Sequence, residues 1–117
     1  MSQLKQGEVF WLDFGEAEGS SPAFRHPCTV VQSDVFNQSR IATTVVCLIT
    51  SNLVHAGAPG NVALSKGEAN LPKPSVVNVS QILTVNKAEL TERVGALRPG
   101  TVKAVLTGLD LLFHGPI

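Results

Sequence analysis

The chain has 117 residues, a length that suggests a single domain over 1–117 able to bury one core without staples. Apolar residues make up 44% and charged residues 15%, and nine cations balance nine carboxylates, which excludes a sequence-blind nucleic-acid binder; any such role must rest on a local cluster of cations. Cys28 and Cys47 make neither a disulfide scaffold nor a zinc site, and no run reaches the roughly eighteen apolar residues of a membrane span, so the expectation is a soluble, cytoplasmic protein with buried free thiols.

In chain order, Gly7-Glu8 opens onto Val9-Phe10-Trp11-Leu12-Asp13-Phe14, an apolar and aromatic run that predicts a first strand ending at Gly15. Residues 15–22 are small and polar and predict a loop long enough to be functional. The loop delivers Arg25 and His26 to Pro27, whose ring biases His26 toward an extended backbone. Residues 28–31 carry no charge and predict a second strand with Arg25 at its lip. Short capping residues over 33–37 predict one helical turn.

Thr43-Thr44-Val45-Val46-Cys47-Leu48-Ile49-Thr50 is the strongest strand signal, apolar on both faces and therefore central, and it stops at Thr50-Ser51-Asn52. Residues 54–59 predict a turn, 61–64 a short edge strand, and 65–74, with Gly67, Pro72 and Pro74, a loop. Two β-prone segments, 75–79 and 81–85, meet at Ser80 as one long strand with a bend or bulge. Asn86 and Glu89 have capping-box spacing around a single helical turn, while 94–97 is ambiguous.

One helix follows from Pro99-Gly100-Thr101, with Thr101 as its expected N-cap, to Gly115-Pro116. Val102, Val105, Leu106, Leu109, Leu112 and Phe113 fall on one stripe, and Gly108 within it predicts a close approach of another backbone. Short strands at roughly ten-residue spacing followed by one C-terminal amphipathic helix predict a mainly β fold, a small barrel.

From about Gly7 to Leu112 the order of these pieces resembles the MazF/PemK family of toxin endoribonucleases. The pieces are the opening strand; the loop into Arg25-His26-Pro27-Cys28-Thr29-Val30-Val31-Gln32-Ser33-Asp34; Leu48-Ile49-Thr50-Ser51; and the run from Ser75 to Leu90. The resemblance implies an SH3-like β-barrel with a C-terminal helix, working as a homodimer without cofactor or metal. It implies cleavage of single-stranded RNA at short motifs, in which a ribose 2′-hydroxyl attacks the neighbouring phosphate to leave a cyclic phosphate and a 5′-hydroxyl. It also implies a cognate antitoxin whose extended C-terminal segment occupies the RNA groove.

On its own terms Arg25 has the planar fork that binds a phosphate bidentately and stabilises charge on its oxygens. Thr50 offers a hydroxyl donor at a strand end. The resemblance makes these two the catalytic candidates, with Ser51, Ser80, Gln81 and His26 as substrate-binding candidates. His26 has the chemistry of a general base, but the resemblance carries no such role to it. The family often has aspartate where Ser80 stands and arginine where Asn78 and Leu83 stand, so the general base is left open. His55 and His114 read as structural. Specificity is expected in residues 15–22 and 51–60. A two-fold axis doubling Arg40, Lys66, Lys73, Lys87, Arg93, Arg98 and Lys103 makes one basic groove from a neutral chain. The alternatives are a gyrase-poison toxin of the same fold acting by protein binding, or a weakened family member that only binds RNA or an antitoxin.

Overall fold

The computed structural model describes residues 3–13 and 25–116. Six strands, β1 (Glu8–Asp13), β2 (Arg25–Val30), β3 (Thr43–Thr50), β4 (Val62–Leu64), β5 (Ser75–Asn86) and β6 (Glu92–Ala96), form one antiparallel sheet in the order β4-β5-β3-β2-β1-β6. The sheet curls into a half-barrel closed by a C-terminal helix, so the mainly β expectation holds. The helices are α1 (Asp34–Asn37) and α2 (Pro99–His114). The expected loop over 15–22 lies outside the described residues.

A strand alternates its side chains between faces, and here each face meets a core. On one face Val9, Cys47, Ile49, Val77 and Val79 pack with Leu97 and with Val105 and Leu109 of α2. On the other, Phe10, Leu12, Cys28, Val30 and Val46 pack with Val85 and Leu90. That division explains why β3 reads as apolar on both sides. It also separates the thiols. Thr29 stands opposite Cys47 and Cys28 opposite Leu48, so the two cysteines sit on adjacent strands but in different cores. Burial pushes each thiol up to about 12.

The bend expected at Ser80 is a bulge. Cys47 pairs with Ile82 and Leu48 with Asn78, leaving Val79, Ser80 and Gln81 between two rungs of the ladder. Val79 remains buried, and its N–H donates to Asn61 Oδ1 at 2.9 Å, which pins the bulge to the loop before β4. Asn37, at the end of α1, is the hub of a second polar network. Its amide accepts from Thr44 Oγ1 (2.8 Å) and Gln32 Nε2 (2.9 Å) and donates to Gln32 O (2.9 Å), while its backbone carbonyl takes Lys87 Nζ at 2.8 Å.

The ambiguous segment near residue 95 is edge strand β6, and its glycine is required. A Cβ on Gly95 would lie 2.5 Å from Ala69 O. That close approach seats the 3₁₀ turn Glu68–Asn70, in which Ala69 and Asn70 have left-handed backbones, and it delivers the Glu68 side chain to the start of α2. There Glu68 accepts from Arg98 N at 3.1 Å and from Arg98 Nη2 at 2.7 Å. Helix α2 begins earlier than the sequence suggested: Arg98 is the N-cap, Pro99 fills the first turn, and Thr101 lies inside the helix. A carboxylate far away in sequence thus takes the part expected of the Thr101 hydroxyl. Gly108 meets Gly60 as anticipated, since a Cβ there would fall 2.1 Å from Gly60 O. The apolar stripe is buried at Val105 and Leu109 only; Leu106, Leu112 and Phe113 are exposed. No helix among the described residues is long and apolar enough to cross a membrane.

Candidate nucleic-acid interface

The candidate residues gather at the end of the sheet where β2 begins and β3 stops. On β1 and β2 the pairs are Trp11 with Pro27, Leu12 with His26 and Asp13 with Arg25. Directly opposed residues in an antiparallel pair share a face. His26 therefore projects with Leu12 and Cys28, and Arg25 with Asp13 on the other side. The contacts of Arg25 agree. Its guanidinium carbon lies 4.9 Å from the Trp11 ring centroid, and Nη2 donates to Glu92 Oε2 at 2.5 Å. Glu92 stands opposite Trp11 across β6, on that same face.

The β2–β3 ladder runs Val30 with Val46, Thr29 with Cys47 and Cys28 with Leu48. The ladder stops there; by strand alternation beyond it, His26 lies on the Cys28 face and Thr50 on the Leu48 face, which is the same one. Arg25 and Thr50 thus leave the sheet from opposite faces, while His26 and Thr50 share one. The Thr50 hydroxyl accepts from Asn52 N at 3.1 Å, which leaves its own hydrogen to donate elsewhere. Asn52 in turn accepts from Val54 N at 3.2 Å and caps the 3₁₀ turn Leu53–Gly57. Ser51 is exposed beside it.

The bulge of β5 adds a third group. Asn78 is opposite Leu48 and Val76 opposite Thr50, so Asn78 shares the Thr50 face one diagonal step away, about 7–8 Å. Ser80 Oγ donates to Asn78 Oδ1 at 2.9 Å, and Asn78 Nδ2 donates to Gln81 Oε1 at 3.1 Å. Ser80 and Gln81 are exposed, and Asn78, beneath them, is buried. With its carbonyl engaged, Gln81 presents its NH₂ as a donor, suited to a phosphate or a base-edge acceptor. Sequence reasoning passed over Asn78 as an organiser of this site, because nothing in its neighbours shows the bulge that brings Ser80 and Gln81 back over it.

Of the cations counted toward a basic groove, Lys87, Arg93 and Arg98 are engaged internally: Lys87 with the carbonyls of Asn37 and Ser39, Arg93 with Glu8 (2.8 Å) and Arg98 with Glu68. Arg25 is paired as well, with the exposed Glu92. Among the described residues, no group of three or more His, Cys, Asp or Glu side chains is placed to hold a metal ion.

Residues 5–113 match the family model described as PemK-like, MazF-like toxin of type II toxin-antitoxin system. A Mycobacterium tuberculosis protein named endoribonuclease MazF6 is 45% identical over 106 residues, covering 91% of this chain and 93% of that protein. A Staphylococcus saprophyticus protein named endoribonuclease MazF is 29% identical over 108 residues, covering 92% and 89%. Among solved structures, an endoribonuclease in complex with its cognate antitoxin from a mycobacterial species superposes with a TM-score of 0.78 over 97% of this chain and 98% of that one, at 23% identity. A chain of a MazE–MazF crystal structure from Deinococcus radiodurans gives 0.74 over 99% of this chain and 100% of that one, at 18% identity. At those identities the superpositions speak for the fold.

Proposed function

The chain belongs to the PemK-like, MazF-like toxin family of type II toxin–antitoxin systems, and on that premise we propose that it is a cytoplasmic endoribonuclease toxin cutting single-stranded RNA. The observation that carries this reading is the 45% identity to a protein named endoribonuclease, sustained over nine-tenths of both chains. The strand-end cluster supports it with donors fitted to a polyanion: the Thr50 hydroxyl, the Gln81 amide and the Arg25 guanidinium, on neighbouring strands toward one end of the sheet.

In the proposed reaction the 2′-hydroxyl gives its proton to solvent as its oxygen bonds to phosphorus, the bond from phosphorus to the 5′-oxygen breaks, and that oxygen takes a proton from solvent. The Thr50 hydroxyl holds a non-bridging oxygen of the scissile phosphate. Arg25 serves a flanking phosphate, reached over the lip from the other face by exchanging Glu92 for the RNA. Ser51, Ser80 and Gln81 line the path of the strand. The partners on this reading are a cognate antitoxin, which competes for the groove, and a second copy of the chain, which doubles the cations along it.

The test is incubation with long single-stranded RNA in EDTA beside a Thr50→Val control. Discrete cuts ending in cyclic phosphates are expected, slowed about 100-fold in the control. RNA left intact across many sequences overturns the reading.

A further inference from the structure

We infer that Asn61 is a positioning residue for this site, the tie that holds the turn after Thr50 and the bulge of β5 at a fixed separation; the inference rests on the endoribonuclease reading and adds how that site is kept assembled. Asn61 lies at the step into β4, outside the candidate cluster, and uses both ends of its side-chain amide. Oδ1 accepts from Val79 N at 2.9 Å, and Nδ2 donates to the His55 carbonyl at 2.9 Å. A main-chain N–H only donates and a carbonyl only accepts, so these partners fix which way the amide faces. Aspartate at this position lacks the donor, and leucine lacks both groups.

Each of the two bonds ends on a segment that carries candidate residues. Val79 is buried in the bulge between two rungs of the β3–β5 ladder, and Ser80 and Gln81, which follow it, are exposed. The amide of Asn61 thus continues the hold of β4 on β5 past the pair Val62 with Val77. On the other side His55 belongs to the 3₁₀ turn Leu53–Gly57, and its N–H donates to the Asn52 carbonyl at 3.2 Å. Asn52 Oδ1 accepts from Val54 N at 3.2 Å, and Asn52 N donates to the Thr50 hydroxyl at 3.1 Å. A series of hydrogen bonds therefore runs from the Thr50 hydroxyl through the turn to Asn61 and on to the bulge that carries Gln81.

Asn61 can act as a tie because it is itself anchored. Its N–H donates to Ala58 O at 3.2 Å. Gly60 before it, with a φ of +78°, lies so close to α2 that a Cβ there would meet Gly108 O at 2.9 Å. The turn has no such anchor of its own. Residues 51–59 are all exposed, so little packing holds the turn, and the bond from Asn61 bears directly on its placement. A hydroxyl set by that turn and an amide set by that bulge contact one RNA strand together only while their separation is kept.

The experiment measures kcat and KM separately on a defined RNA, with urea midpoints alongside. The variants are Asn61→Asp, Asn61→Leu, Asn52→Ala and the double variant Asn52→Ala/Asn61→Asp, with Glu68→Ala as a destabilised control outside the site. Asn61→Asp keeps the acceptor for Val79 N and loses the donor to His55, so it releases the turn alone. Its kcat is expected to fall about 10- to 100-fold with KM within about twofold of wild type. Asn61→Leu releases the bulge as well, and KM rises in addition, by about fivefold. Asn52→Ala breaks the same series nearer Thr50, so the double variant should lose no more than the worse of its two parents. Glu68→Ala should lower the urea midpoint and keep the wild-type kcat and KM. A folded Asn61→Asp enzyme with wild-type kinetics, or one whose loss multiplies with that of Asn52→Ala, overturns the inference and leaves the endoribonuclease reading standing. A Glu68→Ala enzyme that loses kcat in the same way does so too, because stability alone then accounts for the loss. Where Asn61→Asp does not fold, Asn52→Ala, at an exposed position, decides: lowered kcat supports the series and wild-type kcat overturns it. A wild type that cuts no RNA overturns the endoribonuclease reading and the role of Asn61 with it.

Discussion

Of the three arginines among the described residues that grip a glutamate distant in sequence, Arg98 and Arg25 differ most in where the carboxylate lies. The Glu68 side chain is only 3% exposed, wedged between β6 and the start of α2, and Arg98 reaches in to it from solvent. Glu92, on the edge strand, is 64% exposed and shares Arg25 with the face of Trp11. A buried carboxylate that loses its partner is left uncompensated, whereas an exposed one is rehydrated at little cost. The Glu68 pair is accordingly a fixed part of the fold. On the proposed reading the Glu92 pair is a latch that another anion, a phosphate of the RNA backbone, can replace.

The largest effect expected from breaking this contrast is at Glu68. Glu68→Ala removes the acceptor of the Arg98 N–H and of its guanidinium at the helix N-terminus, where a carboxylate also favours the helix dipole. A loss of about 1–3 kcal/mol is expected, read as a lower urea midpoint at an unchanged m-value. Cleavage assayed well below the melting temperature should stay near wild type. The same carboxyl makes the contrast pH-dependent. Burial raises it, but hydrogen bonds from Arg98 and Thr101 outweigh burial and hold it below its ordinary 4.5. Its contribution is therefore present above the unfolded value and lost as pH falls through the lower, folded value. Urea midpoints measured from pH 7 downward should fall more steeply below about pH 4.5 in the wild type than in Glu68→Ala; parallel curves would place the acid sensitivity elsewhere.

The next effect is at the latch. If Arg25 serves a flanking phosphate as proposed, Arg25→Ala should raise KM about tenfold, with kcat little changed. The slope of log affinity against log salt should shrink by about one unit. A fall in kcat with KM unchanged would instead place Arg25 on the scissile phosphate, against the sheet face it occupies. Unfolding midpoints should barely move, in contrast with Glu68→Ala.

How much of this is readable without coordinates depends on whether the signal is local. Strand β3 is bounded by its own composition and runs Thr43–Thr50 as read, and the kink at Ser80 follows from two β-prone segments meeting at a polar residue. Strand β6 was obscured because it is a polar edge held by distant partners: Arg93 on Glu8, and Gly95 under the Ala69 carbonyl. The stripe of α2 puts Val105 and Leu109 in the core, but a stripe alone does not say how much of it is covered, and Leu106, Leu112 and Phe113 are exposed. The catalytic candidates show the same limit. Arg25 and His26 are neighbours in sequence, and their chemistry alone suggests that either could face Thr50. Only the β1–β2 and β2–β3 registers, set by pairs several residues away, decide which does.

The smallest effect is also the most discriminating. Glu92→Gln keeps the size of the side chain and a hydrogen-bond acceptor but removes the charge that competes with RNA for Arg25. An exposed pair contributes no more than about 1 kcal/mol, so stability should change by less than that. Arg25 remains stacked on Trp11, with its competitor gone. RNA affinity should therefore rise by a few-fold, up to roughly fivefold at low ionic strength. The gain should vanish as salt screens both the latch and the phosphate, and it should be absent when Arg25→Ala is already present, because the charge on Glu92 then has nothing to withhold. An increase that persists in the double variant would mean that Glu92 repels RNA directly. A decrease in affinity would mean that Glu92 positions Arg25 for the phosphate rather than competing with it, which would make both glutamate pairs fixed supports and remove the distinction between them.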